Sequence, residues 1–158
     1  MLPGRSSTIF LKMRLLDTKL GLAAATNNMP NKSDVVGKCP VVVVVEDDPA
    51  VRGSLKFSLE LEGFAVRTYG SGLEFFLSGD HACDCFVIDQ RMPGMNGMDL
   101  IGKLRERKVM TPAILIISHP HAALSARAAA AGVSIVEKPL LGNALVDKIR
   151  EACGGTRA

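Results

Sequence analysis

Three acids, Glu46, Asp47 and Asp48, follow directly on the five consecutive valines Val41–Val45. Carboxylates crowded this closely repel one another, and a divalent cation with hard oxygen ligands relieves them. A plainer reading makes Asp48 a helix N-cap with Pro49 at the first helical position. That reading accounts for Asp48 and leaves Glu46 and Asp47 over. Three further groups that could do chemistry each close an apolar run: Asp89 after Cys85-Phe86-Val87-Ile88, Ser118 after Ala113–Ile117, and Lys138 after Ser134–Glu137. Singly they are weak signals. An aspartate after a strand is usually a cap, a serine there means little, and a lysine before Pro139 is ordinarily solvated. Two acids, an acid, a hydroxyl and a lysine at four separate strand ends form a pattern that accident rarely makes.

The elements that must position these groups are legible from periodicity. Five β-branched residues in a row have no polar face, so the first strand must be covered on both sides, as in a parallel sheet flanked by helices. Residues 49–62 read as a helix with Val51, Leu55 and Leu59 on one face and Gly63 at its end. Residues 64–69 read as a second strand. Ser71-Gly72-Leu73-Glu74 is a capping-box pattern opening a short helix to about Ser78. A third strand at Cys85–Asp89 leads through the turn-rich Met92-Pro93-Gly94-Met95-Asn96-Gly97 to a helix over 98–107. In that loop Gly94 and Gly97 read as turn glycines, and Met92, Met95 and Met98 as packing residues. A fourth strand at Ala113–Ile117, an alanine-rich helix over 122–131 closed by Gly132, a fifth strand at Ser134–Glu137 and a last helix over 143–153 complete the series. Five strands alternating with five helices predict an α/β fold, a doubly wound five-stranded parallel sheet. Its strand carboxyl ends share one edge, where ligand sites of such sheets gather.

Composition narrows the function classes. The 158 residues accommodate one domain and an extension, and 47% hydrophobic with 22% charged residues suits a globular α/β core. A net charge of +3 with scattered basic residues, one Tyr and no Trp argues against a nucleic-acid surface. No apolar run is long enough to span a bilayer, and Lys12, Arg14, Asp17 and Lys19 interrupt the N-terminal apolar residues, so neither a membrane span nor a signal peptide is expected. Cys39, Cys83, Cys85 and Cys153 lack zinc or C-x-x-C spacing. Cys83 and Cys85 would share one strand face, so reduced core thiols and a cytoplasmic setting are expected. Residues 1–38 read as an N-terminal extension and linker: Ile9, Phe10, Met13, Leu16 and Leu20 fit a short helix stripe, 26–34 is linker material, and Met29 is an alternative start. The domain proper is expected over 39–154.

With these motifs assembled, the chain resembles the response-regulator receiver domains of two-component signalling, and in its motifs looks most like the receivers of FixJ-type regulators. Val44-Val45-Glu46-Asp47-Asp48-Pro49-Ala50-Val51-Arg52, Val87-Ile88-Asp89-Gln90-Arg91-Met92-Pro93-Gly94-Met95-Asn96-Gly97 and Glu137-Lys138-Pro139 carry the resemblance, which covers about residues 40–153. It implies a flavodoxin-like receiver fold in which Asp89 accepts a phosphoryl group from a sensor histidine kinase or phosphotransfer protein, forming an acyl phosphate. It also implies a Mg2+ ion held by Asp47 and Asp89 directly, by Glu46 through water and by the backbone carbonyl of Arg91. Lys138 would meet a phosphoryl oxygen and Ser118 would donate its hydroxyl. Self-association, if any, would use the face of the fourth helix, fifth strand and fifth helix.

Two departures from the pattern stand out. Receivers usually carry Tyr or Phe where Ile135 stands, three residues before the lysine, and that aromatic couples the hydroxyl's movement to the output face. The residue after the hydroxyl is usually small, but here it is His119, followed by Pro120 and His121. His119 and Pro120 are read either as plain loop residues or as modulators of water access to the acyl phosphate; metal binding by His119 and His121 has little support. The interval from Ser118 to Lys138 is short, so the fourth helix or its loops are expected to be trimmed. The expected function is a single-domain response regulator, not an enzyme, that signals by protein–protein contact. The alternative is a degenerate receiver acting as a phosphorylation-independent interaction module. A magnesium-dependent phosphohydrolase ranks third, since no stretch supplies a cap or a further acid/base group. A nucleotide or flavin site is disfavoured, since no Gly-rich loop follows the first strand.

Overall fold

A computed structural model describes residues 38–154; the expectations for the N-terminal extension lie outside the described residues. The elements run β1 (Val41–Val45), α1 (Pro49–Leu61), β2 (Ala65–Tyr69), α2 (Gly72–Ser78), β3 (Cys85–Asp89), α3 (Gly97–Glu106), β4 (Ala113–Ile117), α4 (Ala122–Ala130), β5 (Ser134–Glu137) and α5 (Ala144–Gly154). All pairings are parallel, in the order β2-β1-β3-β4-β5. The expected doubly wound sheet is therefore present. Val42–Val45 are fully buried and β3 and β4 are buried throughout, as the unbroken apolar runs require, while the edge strands β2 and β5 are only partly covered.

Alternation along the strands sorts the core into two layers. Val43, Val45, Phe86, Ile88, Leu115 and Ile117 pack with Phe75 of α2, Leu100 and Leu104 of α3, and Leu124 of α4. Val42, Val44, Val87, Ile114, Ile116 and Val136 pack with Leu55 and Leu59 of α1 and with Leu145 and Ile149 of α5. Phe75 is fully buried and meets Tyr69, Phe86 and His81 at ring-centroid distances of 4.9–5.3 Å, which anchors the short helix α2.

Local signals set most boundaries. Asp48 caps α1 through Oδ1, which accepts from Ala50 N at 2.8 Å and Val51 N at 3.1 Å, with Pro49 following. β2 begins at Ala65, not Phe64, because Phe64 N donates to Leu59 O and closes the C-terminus of α1. Ser71 caps α2 as expected, but the Glu74 carboxylate accepts from Gly70 N, one residue short of the Ser71 amide of a full capping box. α3 starts one residue earlier than its periodicity suggests, because Asn96 is the cap and Gly97 enters the first turn.

Gly97 has a different role from the one its loop suggests. Gly94 does take a left-handed φ of +77°, but Gly97 is needed for proximity: a Cβ there would lie 2.6 Å from Asp89 O and 2.6 Å from Leu115 Cδ1. Both neighbours are well packed, and one is the backbone of the strand end. Gly97→Ala should therefore destabilise the fold by about 1–3 kcal/mol, as overpacking does, measured by denaturant unfolding.

The methionines behave as packing residues: Met92 and Met98 are buried, and Met95 packs against them. Cys83 and Cys85 do not share a face. β3 starts at Cys85 after a bend at Cys83 and Asp84, so Cys83 packs on the α2–α4 layer and Cys85 on the α1/α5 layer. The four cysteines are unpaired; burial pushes the Cys83 thiol up to about 12 and raises that of Cys85 as well. Thiolate is the reactive form, so at mildly alkaline pH exposed Cys39 should react with a thiol reagent first, and Cys83 and Cys85 only on unfolding. Labelling read by peptide mass tests this. No helix among the described residues is long and apolar enough to cross a membrane.

Candidate functional site: an acidic cluster at the strand ends

Register brings the separated acids together. β1 is aligned Val45 to Ile88, so Glu46, one step on, comes level with Asp89, which pairs with Ile116 and through it with Val136. Side-chain alternation carried past each strand end aims Glu46, Asp89, Ser118 and Lys138 to the same side as Val44, Val87, Ile116 and Val136. Lys138 follows β5 directly and its N–H donates to Ile117 O at 2.7 Å, which sets it beside the end of β4; its peptide bond to Pro139 is cis.

The contacts follow from that register. Lys138 Nζ lies 2.8 Å from Asp89 Oδ1 and 3.1 Å from Glu46 Oε2. The other oxygens are held by backbone donors: Asp89 Oδ2 accepts from Arg91 N at 2.7 Å, and Glu46 Oε1 from Asp48 N at 3.2 Å. Glu46 and Asp89 are 2% and 4% exposed and are the buried charged residues of the described core, so they need these partners. Asp47 is exposed, and oxygens of Glu46, Asp47 and Asp89 lie within 4.8 Å of one another.

Among the described residues three carboxylates here face one ammonium, so the cluster is short of positive charge. Burial raises the Glu46 carboxyl above its ordinary value and the charge of Asp89 adds to it, while the Asp48 amide and Lys138 hold it back. Burial works against the Lys138 ammonium, but its hydrogen bonds to Asp89 and Glu46 outweigh this and its pKa is raised. A close set of hard carboxylate oxygens with one side open to water is the donor chemistry that suits Mg2+. Glu46, Asp47 and Asp89 therefore fit the expected ion.

The remaining expected residues are placed less fully. Ser118 follows β4, half-buried, in the row facing Lys138. Arg91 is seen through its amide on Asp89. Ile135 is partly buried and packs on the α2–α4 layer, opposite Leu115. His119 and Pro120 are exposed in the β4–α4 loop, and no hydrogen bond ties them to the acids among the described residues. His121 instead caps α4, its Nδ1 accepting from Leu124 N at 3.2 Å. α4 spans nine residues.

Two supporting residues went unassigned in the sequence. Gln90 Oε1 accepts from Met98 N at 3.0 Å and ties the loop after Asp89 to α3. Arg52 Nη1 donates to Glu46 O and Asp47 O. Neither pairing leaves a trace in local sequence.

Comparison with known proteins agrees with this geometry. The pattern of the response regulator receiver domain matches residues 42–150. The transcriptional regulatory protein FixJ of Rhizobium meliloti (strain 1021) is 34% identical over 113 residues, covering 70% of this chain and 55% of that protein. The crystal structure titled FixJ-N superposes with a TM-score of 0.68 at 31% identity, covering 74% of this chain and 95% of that one. The chemotaxis protein CheY4 of Vibrio cholerae, 21% identical with a TM-score of 0.67 over 73% of this chain and 99% of that one, shares the fold. The chain spans about half the length, or less, of the first curated relatives it matches. Receiver domains are signalling modules that work with histidine kinases or phosphotransfer proteins, and they bind Mg2+ through acidic residues. With its sheet order, its acid row and these matches, the chain belongs to the response regulator receiver domain family.

Proposed function

We propose that residues 39–154 act as a phosphorylation switch, with Asp89 as the phosphoacceptor for a sensor histidine kinase or phosphotransfer protein. The observation that carries this reading is the placing of Lys138 Nζ between Asp89 Oδ1 and Glu46 Oε2 beside a third carboxylate, Asp47. In the transfer step an Asp89 carboxylate oxygen attacks phosphorus. The P–N bond of the donor phosphohistidine breaks, and its electron pair stays with the imidazole nitrogen. Asp47 and Asp89, with Glu46 through water and the Arg91 carbonyl, would hold a Mg2+ ion, which would supply positive charge against the repulsion between nucleophile and phosphoryl oxygens. Lys138 gives up part of its pairing with Asp89 and meets a phosphoryl oxygen. Ser118, in the same row, donates its hydroxyl to another.

The donor must reach Asp89 from the strand-end edge. A groove of about 530 Å³ between α1 and the β5–α5 segment, lined by Val51, Leu55, Pro139 and Leu145 among others, opens beside Lys138 and supports docking there. Output is read as protein–protein contact, with the α4–β5–α5 face as the surface for a homodimer or a downstream partner. Four unpaired cysteines support a reducing, cytoplasmic setting. The reading assigns no substrate turnover and no nucleic-acid contact to these residues. The word transcriptional belongs to the relatives' names, and residues 1–38 stay outside the module. Incubation with acetyl phosphate and Mg2+ should add one phosphoryl group, seen by intact mass.

A second reading has its own observation. Ile135 offers no aromatic ring to follow Ser118 and packs against the core, which favours a phosphorylation-independent interaction module. A well-folded protein that binds Mg2+ but gains no adduct would move the assignment there.

A further inference from the structure

We infer that Arg52 is a positioning residue for the cation site, acting by fixing the direction of the Asp47 carboxylate. The inference rests on the proposed receiver chemistry and adds a residue to it.

Each of the three acids is held differently. The Glu46 carboxylate is pinned by Asp48 N and Lys138, and the Asp89 carboxylate by Arg91 N and Lys138. Among the described residues no hydrogen bond or ion pair restrains the Asp47 carboxylate, and the residue is exposed. Its place within 4.8 Å of the other two must therefore come from its backbone. The two dihedrals of Asp47 relate the peptide plane carrying Glu46 O to the plane carrying Asp47 O. Arg52 Nη1 donates to both carbonyls, at 2.7 Å and 3.3 Å. One nitrogen thus clamps the two planes on either side of the Asp47 Cα, and with them the direction of its Cβ.

Arg52 is itself placed by the fold. It lies in the first turns of α1, its N–H donating to Asp48 O at 2.9 Å, and is half-buried. Its guanidinium runs past the end of β2, where a Cβ on Gly70 would lie 3.4 Å from Nη1. Glu46 N donates to Tyr69 O at 3.1 Å, so the Glu46 side of the clamp is anchored to β2. A preorganised ligand pays less ordering entropy on binding, so loosening Asp47 should weaken the site.

Charge alone predicts the opposite sign. Removing a cation near carboxylates should tighten the binding of another cation. Arg52→Met keeps the aliphatic stem and removes the donors. Arg52→Lys keeps the charge, but its ammonium sits on a shorter and more flexible stem, so it holds the two carbonyls less firmly than the Arg52 Nη1 does. Mg2+ affinity is measured by calorimetry, and acetyl phosphate labelling of Asp89 as a function of Mg2+ concentration, with thermal melting alongside. For Arg52→Met the Mg2+ dissociation constant should rise about tenfold and the labelling rate should recover at saturating Mg2+. Arg52→Lys should fall between Arg52→Met and the unaltered chain. Unchanged or tighter Mg2+ binding in folded Arg52→Met, or a lowered melting temperature with no change in affinity, would overturn the inference. Failure of the unaltered chain to accept phosphoryl would instead count against the receiver reading, leaving the Mg2+ affinities to judge Arg52.

Discussion

Asp89→Asn should abolish phosphoryl uptake from acetyl phosphate, removing the mass increase of about 80 Da that one HPO₃ unit brings. The substitution is nearly isosteric and leaves an amide oxygen able to accept from either Lys138 or Arg91 N, so the strand end should stay folded. Its effect falls on nucleophilicity, because an amide oxygen does not displace the donor's leaving group as a carboxylate does. Asp89 is buried at 4% exposure and held from both sides, so no neighbour can rotate into its position. Glu46 is pinned by Asp48 N and Lys138, and Asp47 lies at the mouth of the cluster. The expected residual is therefore near zero, with Mg2+ binding weakened but the fold retained by circular dichroism. Persistent single-site labelling in Asp89→Asn would assign the acceptor elsewhere.

Lys138→Met should have the second largest effect, and on two observables. Among the described residues Lys138 is the one ammonium touching both buried acids, and its side chain is 26% exposed against 3% for Glu46 and 5% for Asp89. Breaking a buried pair by removing one partner costs about 3–5 kcal/mol. Solvent at the Lys138 end places the loss toward or below the lower figure. Mg2+ supplies positive charge to the same carboxylates, so the destabilisation should shrink when the ion is added. The labelling rate should not recover in step. Loss of a preorganised charge facing the phosphoryl oxygens lowers rates by about 10²–10³-fold, and a cation bound by the carboxylates would not replace that charge. Denaturant unfolding and time-resolved intact mass, each with and without Mg2+, separate the two. Full recovery of the rate by Mg2+ would make Lys138 a stabilising countercharge only.

Much of this fold lies open in local sequence because its signals are local. Val41–Val45 must be covered on both faces, and Val42–Val45 are fully buried. Asp48 and Pro49 announce the start of α1, and Ser71 that of α2. β3, β4 and β5 keep the bounds their apolar runs predict, and these fix the strand ends on which Asp89, Ser118 and Lys138 sit. Even the shared side of those residues follows from counting by twos along each strand.

What stayed hidden depends on pairing between distant segments. Arg52 reads as an ordinary helical arginine until the turn of Glu46 and Asp47 is folded against it. Gly97 reads as a turn glycine, although what excludes a side chain is the approach of Asp89 O and Leu115. Cys83 and Cys85 read as one face of a strand because nothing in their spacing shows where the pleat begins. His121 reads as a loop residue after His119 and Pro120 but caps α4, a role periodicity does not flag because imidazole is an uncommon cap.

The central claim is that Asp89 carries the phosphoryl group. It is tested most directly by labelling the unaltered chain with acetyl phosphate and Mg2+, trapping the acyl phosphate by borohydride reduction and mapping the modified peptide by tandem mass spectrometry. The account predicts a single reduced site at Asp89, absent when Mg2+ is removed by a chelator. A modified site at any other residue, or an unmodified Asp89 in folded protein saturated with Mg2+, would contradict it.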